Sequence, residues 1–353
     1  MLPALFSLGW LPPGQYEDGA YIRASTLKLL ASFRLGESME LLSATLQDGG
    51  LPKTATNAIR YLLARRILQP NGISSLLSMI ISSEDHGSDL LDRYEQITKL
   101  LSTPPRGIAT DEYFRTIIPQ MMRIMTDKAS PPAHQRAISF ALSSFVSAEA
   151  QPVVFTTLSS ILFAAFEERD VAHESETNES YSPMESIGIL STFLATAPPS
   201  SNKPLATVLL TPIIERLYSL LYYLDTRAIS DPTEIALCKG LVHSWMKVTA
   251  DQDVCDRLWS IVQGNGGEWV LSGTDELRLE WRKEIQQPTL TLGDLSNLEV
   301  DAMNLNPLNL RPDPVHLITL VQSVNRKDVA SSFFIRILSA EFESLDGPDD
   351  STQ

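Results

Sequence analysis

Two cysteines in 353 residues are too few for a disulfide framework, and Cys238 and Cys255 form no CxxC pair, so both are expected as reduced thiols on apolar helix faces. The five histidines, His86, His134, His173, His243 and His316, show neither HxxxH nor HExxH spacing, so no helix offers two imidazoles to one metal. There is no GxSxG elbow and no GxxxxGK[ST] loop. Gly264-Asn265-Gly266-Gly267 comes nearest to a phosphate cradle, but no lysine follows it and it reads as a plain loop. No catalytic residue, metal ligand or cofactor is expected.

Positive charge is scarce as well. The 28 Lys and Arg stand against 43 Asp and Glu, a net charge of -15, which disfavours nucleic-acid binding through a general positive field. Runs of 18 apolar residues are absent, so no segment is expected to span a membrane. The apolar opening MLPALFSLGWLPPG has no basic start and is stopped by Pro12, Pro13 and Gly14, unlike a signal peptide.

What remains is a chain with 43% hydrophobic and 20% charged residues, enough to bury a core and too little charge for general disorder. Its apolar residues recur at helical spacing. Leu90, Tyr94, Ile97 and Leu101 form one stripe and leave Asp92, Arg93 and Lys99 toward water. Further helices are predicted over 21–34, 37–48, 53–68, 72–82, 111–126, 133–149, 153–168, 183–197, 204–225, 232–249, 252–263, 314–324 and 329–343. Ser182-Pro183-Met184-Glu185 and Asp231-Pro232-Thr233-Glu234 have the pattern of a capped helix start, and Pro132, Pro152 and Pro204 mark other beginnings.

This pattern divides the chain. Helical repeats are expected over 1–263, interrupted by a mobile acidic loop at 167–182. A Gly-, Asn- and Pro-rich irregular segment follows over 264–313, a further helix pair over 314–343 and a disordered acidic tail over 344–353. Inside the irregular segment the alternation of Leu277, Leu279 and Trp281 after Ser272-Gly273-Thr274 is compatible with a short hairpin from Trp269 to Trp281.

Ile117-Ile118-Pro119-Gln120-Met121-Met122 and Leu210-Thr211-Pro212-Ile213-Ile214 each place a proline before an apolar helix face, with a second apolar helix after it. After the first copy come Asp127, Arg136, Ala137 and the stripe Ile138, Ala141, Leu142 and Phe145. The arrangement resembles a HEAT repeat, and the fold class expected is all-α, a HEAT/armadillo-like α-solenoid of antiparallel helix pairs.

Three groups of residues invite a functional reading. Arg60, Arg65 and Arg66, with Lys53, are the clearest basic cluster and read either as a solvated face or as a patch for an acidic partner segment. Leu292, Leu295, Leu298 and Val300, set among acidic residues, have the spacing of a leucine-rich nuclear export signal and equally that of a short amphipathic piece packed on the array. His243 lies near Ser244 and Cys238, but residues adjacent on a helix diverge by about 100 degrees, and Leu241, Val242 and Trp245 mark a packing face. It reads as a core or boundary histidine.

Ile97-Thr98-Lys99-Leu100-Leu101-Ser102-Thr103-Pro104-Pro105, with Tyr113-Phe114 and Ile118-Pro119-Gln120-Met121-Met122, resembles a region of the RNA polymerase II assembly and nuclear-import factors, also called transport and Golgi organisation proteins. Asn325-Arg326-Lys327-Asp328-Val329-Ala330-Ser331-Ser332-Phe333-Phe334-Ile335-Arg336 is similar to a second segment of that family. Members are longer, so the resemblance implies that this chain corresponds to part of one. It also implies a cytoplasmic, shuttling HEAT-repeat scaffold without enzymatic activity, whose partners are RNA polymerase II subunits, import receptors or pore proteins. A scaffold in Golgi membrane traffic and a helical enzyme of unfamiliar type are the alternatives. The enzyme would need a deep pocket with convergent ionisable groups.

Overall fold

A computed structural model describes residues 2–11, 18–47, 50–81, 88–105, 107–147, 152–168, 181–197, 199–227, 231–272, 278–283 and 312–345. These residues are mostly helical, with one two-stranded sheet among them. The chain forms two compact units, Met1–Leu158 with Thr196–Pro198, and Ser159–Ala195 with Pro199–Gln353.

The first unit contains α1 (Leu2–Gly9), α2 (Gly19–Ser32), α3 (Leu35–Gln47), α4 (Lys53–Ile67), α5 (Gly72–Ile80), α6 (Ser88–Ser102), α7 (Thr110–Thr126) and α8 (Pro132–Ser147). The opening apolar run is therefore a helix, α1, which the sequence reading leaves unassigned. It sends Phe6 into a cluster with Leu30, Leu42, Ala55 and Ile59, and Phe6 stacks on Trp10 at 4.7 Å. In α7 the buried residues Phe114, Ile117, Ile118, Met121 and Met122 repeat at helical spacing. This face packs on α8, where Ile138, Ala141, Leu142 and Phe145 are buried, and Phe114 meets Phe145 edge to face at 5.9 Å. Pro119 sits inside α7 without ending it. The missing N–H costs the helix one backbone hydrogen bond, and Ile117, Ile118, Met121 and Met122 stay buried on either side of it. Asp127 then makes the turn: its carboxylate accepts from the Ala129 N–H at 2.9 Å and the Ser130 hydroxyl at 3.0 Å.

Helix α9 (Pro152–Leu162) leads into a 3-10 turn at Ala164–Phe166, so the helix predicted over 153–168 stops early. In the second unit follow α10 (Pro183–Thr196), α11 (Pro199–Leu210), α12 (Ile214–Thr226), α13 (Pro232–Val248), α14 (Asp251–Val262), β1 (Glu268–Ser272), β2 (Arg278–Arg282), α15 (Pro314–Val324) and α16 (Lys327–Leu345). The single helix predicted over 204–225 is two, α11 and α12. Pro212 has no N–H to give and its ring crowds the preceding turn, so the chain tightens at Thr211–Ile213, where the Ile213 N–H donates to Leu210 O at 3.1 Å. Pro204 lies within α11 and does not start it, since α11 begins at Pro199.

The predicted caps are present. The Ser182 N–H donates to Glu185 Oε2 at 2.8 Å and the Glu185 N–H returns to Ser182 Oγ at 3.3 Å, a reciprocal box at the start of α10. Asp231 accepts from the Thr233 N–H at 2.8 Å. Ser182→Ala is expected to lower stability by about 1 kcal/mol, read as a lower urea midpoint, because one helix donor loses its acceptor. An unchanged midpoint would show that water replaces the hydroxyl at no cost.

The segment expected to be irregular contains the hairpin. β1 and β2 pair antiparallel with Trp269 opposite Trp281, both buried. The Trp269 indole N–H donates to Arg216 O of α12 at 3.0 Å, and that of Trp281 to Gly266 O at 2.7 Å. The tail expected from 344 starts later, since Ser344 and Leu345 close α16, and residues 346–353, residues 169–180 of the expected acidic loop and residues 284–311 lie outside the described residues.

Candidate partner-binding groove

The helical repeat of α4 brings Asn57, Arg60, Tyr61, Ala64 and Ile67 to one face, and that of α6 does the same with Gln96, Lys99 and Leu100, followed by Thr103 just beyond its end. The two faces border a groove of about 860 Å³ in the first unit, completed by Leu46 of α3, Leu63 of α4, Tyr113 of α7 and the Pro104-Pro105 rim. Tyr61 and Leu100 stay 47% and 44% exposed, so they add apolar surface to the groove that solvent reaches.

The end of α6 shapes this groove. The hydroxyls of Ser102 and Thr103 donate to Lys99 O at 3.0 and 3.1 Å, and the helix ends ahead of Pro104 and Pro105, which have no N–H to continue it. Below them the buried Tyr113 hydroxyl donates to Leu101 O at 3.0 Å. Burial pushes its pKa up to about 12, so it remains a protonated donor.

Arg60 and Lys99 are the charged residues of the lining, and no carboxylate, imidazole or thiol is among the lining residues. The arginines read together in the sequence separate in space. Arg60 faces the groove. Arg65 lies with its guanidinium 5.8 Å over the Tyr61 ring at the border. Arg66 turns inward and is engaged, donating to Leu30 O at 3.1 Å and Gln69 Oε1 at 3.2 Å. Sequence reasoning set Lys99 toward water and gave Leu100 no place on the helix; the available signal was the second i, i+3, i+4, i+7 series, 96, 99, 100 and 103, offset from the packed stripe.

Other residues singled out in the sequence are placed as follows. Leu292, Leu295, Leu298 and Val300 lie outside the described residues. Cys238 is fully buried, its thiol facing Leu217 O at 3.5 Å, and burial pushes its pKa far up, which removes thiolate chemistry. His243 is half-buried, with Nε2 2.9 Å from Ser323 Oγ of α15. His316, which carried no sequence signal, links α15 to α12 through Tyr218 Oη at 3.3 Å and Asp225 Oδ2 at 3.0 Å. Among the described residues no helix is long and apolar enough to cross a membrane, and no group of three or more His, Cys, Asp or Glu could hold a metal ion.

Two imidazoles give a pH dependence. Burial holds His134 below its ordinary value of 6.5, and burial with the neighbouring Lys239 and Lys247 does the same for His243. Between those depressed values and 6.5 the unfolded chain binds more protons than the folded one, so stability rises with pH across that window and is lost as pH falls through it. The urea midpoint is expected to be lower near pH 5.5 than near pH 7.5, and the gap to narrow in the double variant His134→Gln/His243→Gln. An equal gap in both proteins would exclude these two groups as its source.

The fold and groove thus define a mostly helical protein with a basic-rimmed apolar groove in its first unit. No protein-family model, no curated protein and no solved structure matches the chain.

Proposed function

We propose that this chain is a non-enzymatic adaptor, its helix pairs stacked as a HEAT/armadillo-like solenoid, that assists cytoplasmic assembly and nuclear import of RNA polymerase II by holding proteins. The observation that carries the adaptor reading is the α4–α6 groove: exposed Tyr61 and Leu100, an apolar floor and two cations on the rim. Such a surface gains free energy when a complementary protein segment covers it. The polymerase reading rests on the resemblance of the Ile97–Met122 and Asn325–Arg336 segments to the assembly and import factors, and the first of these includes the last turns of α6 and the proline rim of the groove. An acidic chain of net charge -15 is also suited to basic faces of polymerase subunits or basic import signals.

Affinity purification of the tagged chain with mass spectrometry, at low and at moderate salt, tests this. RNA polymerase II subunits and import receptors are expected in the low-salt eluate and reduced at moderate salt. Eluates without polymerase subunits at either salt concentration overturn the polymerase assignment.

A further inference from the structure

We infer that the α4–α6 groove receives an amphipathic helix of a partner protein, one that buries an apolar stripe in the floor and presents Asp or Glu to Arg60 and Lys99. The inference rests on the adaptor reading and adds the class of segment that is bound.

Shape argues for a helix. The two walls are themselves helices whose groove-facing residues follow the same i, i+3, i+4, i+7 series, so ridges of a third helix can lie between them. Ala64 lies within the α4 series and leaves room between the larger Arg60, Tyr61 and Ile67.

Charge decides the chemistry of the segment. Across Lys53–Ile67, α4 carries Lys53, Arg60, Arg65 and Arg66 and not one Asp or Glu, in a chain whose net charge is -15. The carboxylates Asp92 and Glu95 of α6 are absent from the lining, to which this helix contributes Gln96 and Lys99 as its polar groups. A segment with basic flanks would bring like charges against both rims, whereas carboxylates pair with them and set the register. An anionic membrane also attracts cations, but a bilayer is flat and cannot fill a trough whose Tyr113 side is buried.

The experiment uses the full chain and a fluorescently labelled synthetic helical peptide of about 16 residues, some four turns, with Leu on one stripe and Glu on both flanks. Its comparators are a Lys-flanked version, a scrambled version and anionic phosphatidylserine vesicles. Saturable binding on the order of micromolar is expected for the Glu-flanked peptide only. It should weaken about tenfold in Arg60→Glu/Lys99→Glu and be lost in the groove-filling Ala64→Phe, with unfolding midpoints recorded for each variant. Equal binding of the scrambled or Lys-flanked peptide, vesicle binding without peptide binding, or variants that fold and bind normally would each overturn the inference. If the peptide fails while the tagged chain still recovers polymerase subunits, the inference falls and the adaptor reading survives. If the peptide binds and no polymerase subunit is recovered, the inference stands and the polymerase assignment falls.

Discussion

Trp245→Ala is expected to lower the free energy of unfolding by about 3–5 kcal/mol, the largest effect of any single truncation in the second unit. Trp245 is 1% exposed and among the largest fully buried side chains. It projects from α13, which packs on both α11 and α12, and its indole N–H donates to Thr211 Oγ1 at 2.9 Å. That hydroxyl in turn donates to Thr207 O at 2.6 Å, in the turn where Pro212 separates the two helices. Removing the ring leaves a cavity at this junction and an acceptor without its donor, and both terms have the same sign. Trp245→Phe retains most of the volume and loses the hydrogen bond, so about 1–2 kcal/mol is expected. Phe342→Ala is the control: at 64% exposure the change should stay within about 0.5 kcal/mol. Chemical unfolding followed by circular dichroism measures all three, and a similar loss at Trp245 and Phe342 would refute the burial argument.

Gly72→Ala is expected to cost about 3 kcal/mol in the first unit, by steric conflict and not by cavity formation. Asn71 turns the chain with φ 66 and ψ 10, and Gly72 then opens α5 directly against the end of α4. A Cβ at Gly72 would come within 2.3 Å of both Arg66 O and Ile67 O, which are backbone atoms and have no rotamer to escape into. The turn is held from two directions: the Gly72 N–H donates to Gln69 O at 2.8 Å and Gln120 of α7 donates to Leu68 O at 3.2 Å. Relief would require α5 to move away from α4, although Ile73, Leu76, Leu77 and Ile80 anchor it in the core. Asn71→Gly is the contrast, because glycine accepts the left-handed conformation without penalty; a change of a few tenths of a kcal/mol is expected. Amide hydrogen exchange in α5 reports the effect locally. Full protection in Gly72→Ala would mean that the turn adapts. Since Ile67 lines the groove, the same variant should weaken the Glu-flanked peptide.

The residues that made the fold legible are those whose signal is local. The Ser182–Glu185 box, the Asp231 cap and the apolar stripe of α7 follow from side chains three or four positions apart, and the elements formed where the spacing placed them. The two prolines show where local reading stops. Pro119 and Pro212 sit in similar apolar contexts with buried residues on both sides, yet one lies inside a continuous helix and the other separates two, so the proline and its apolar neighbours do not by themselves fix the outcome. The hairpin was only compatible with the alternation after Ser272; its pairing depends on two tryptophans finding acceptors at Arg216 and Gly266.

Of the candidate groove, the sequence shows half. Arg60 is visible as a member of a basic cluster, but nothing within α4 says that Arg66 turns inward to Leu30 O while Arg60 faces Lys99 and Leu100 of another helix. His316 with Asp225, 91 residues apart, is the same case in the second unit. By itself the sequence determined the helical class, the caps and the excess of acid, because each is a property of neighbouring residues or of composition. Only the tertiary structure decided which faces meet and which pair of cations shares a groove, because long-range packing selects among faces that local spacing leaves equivalent.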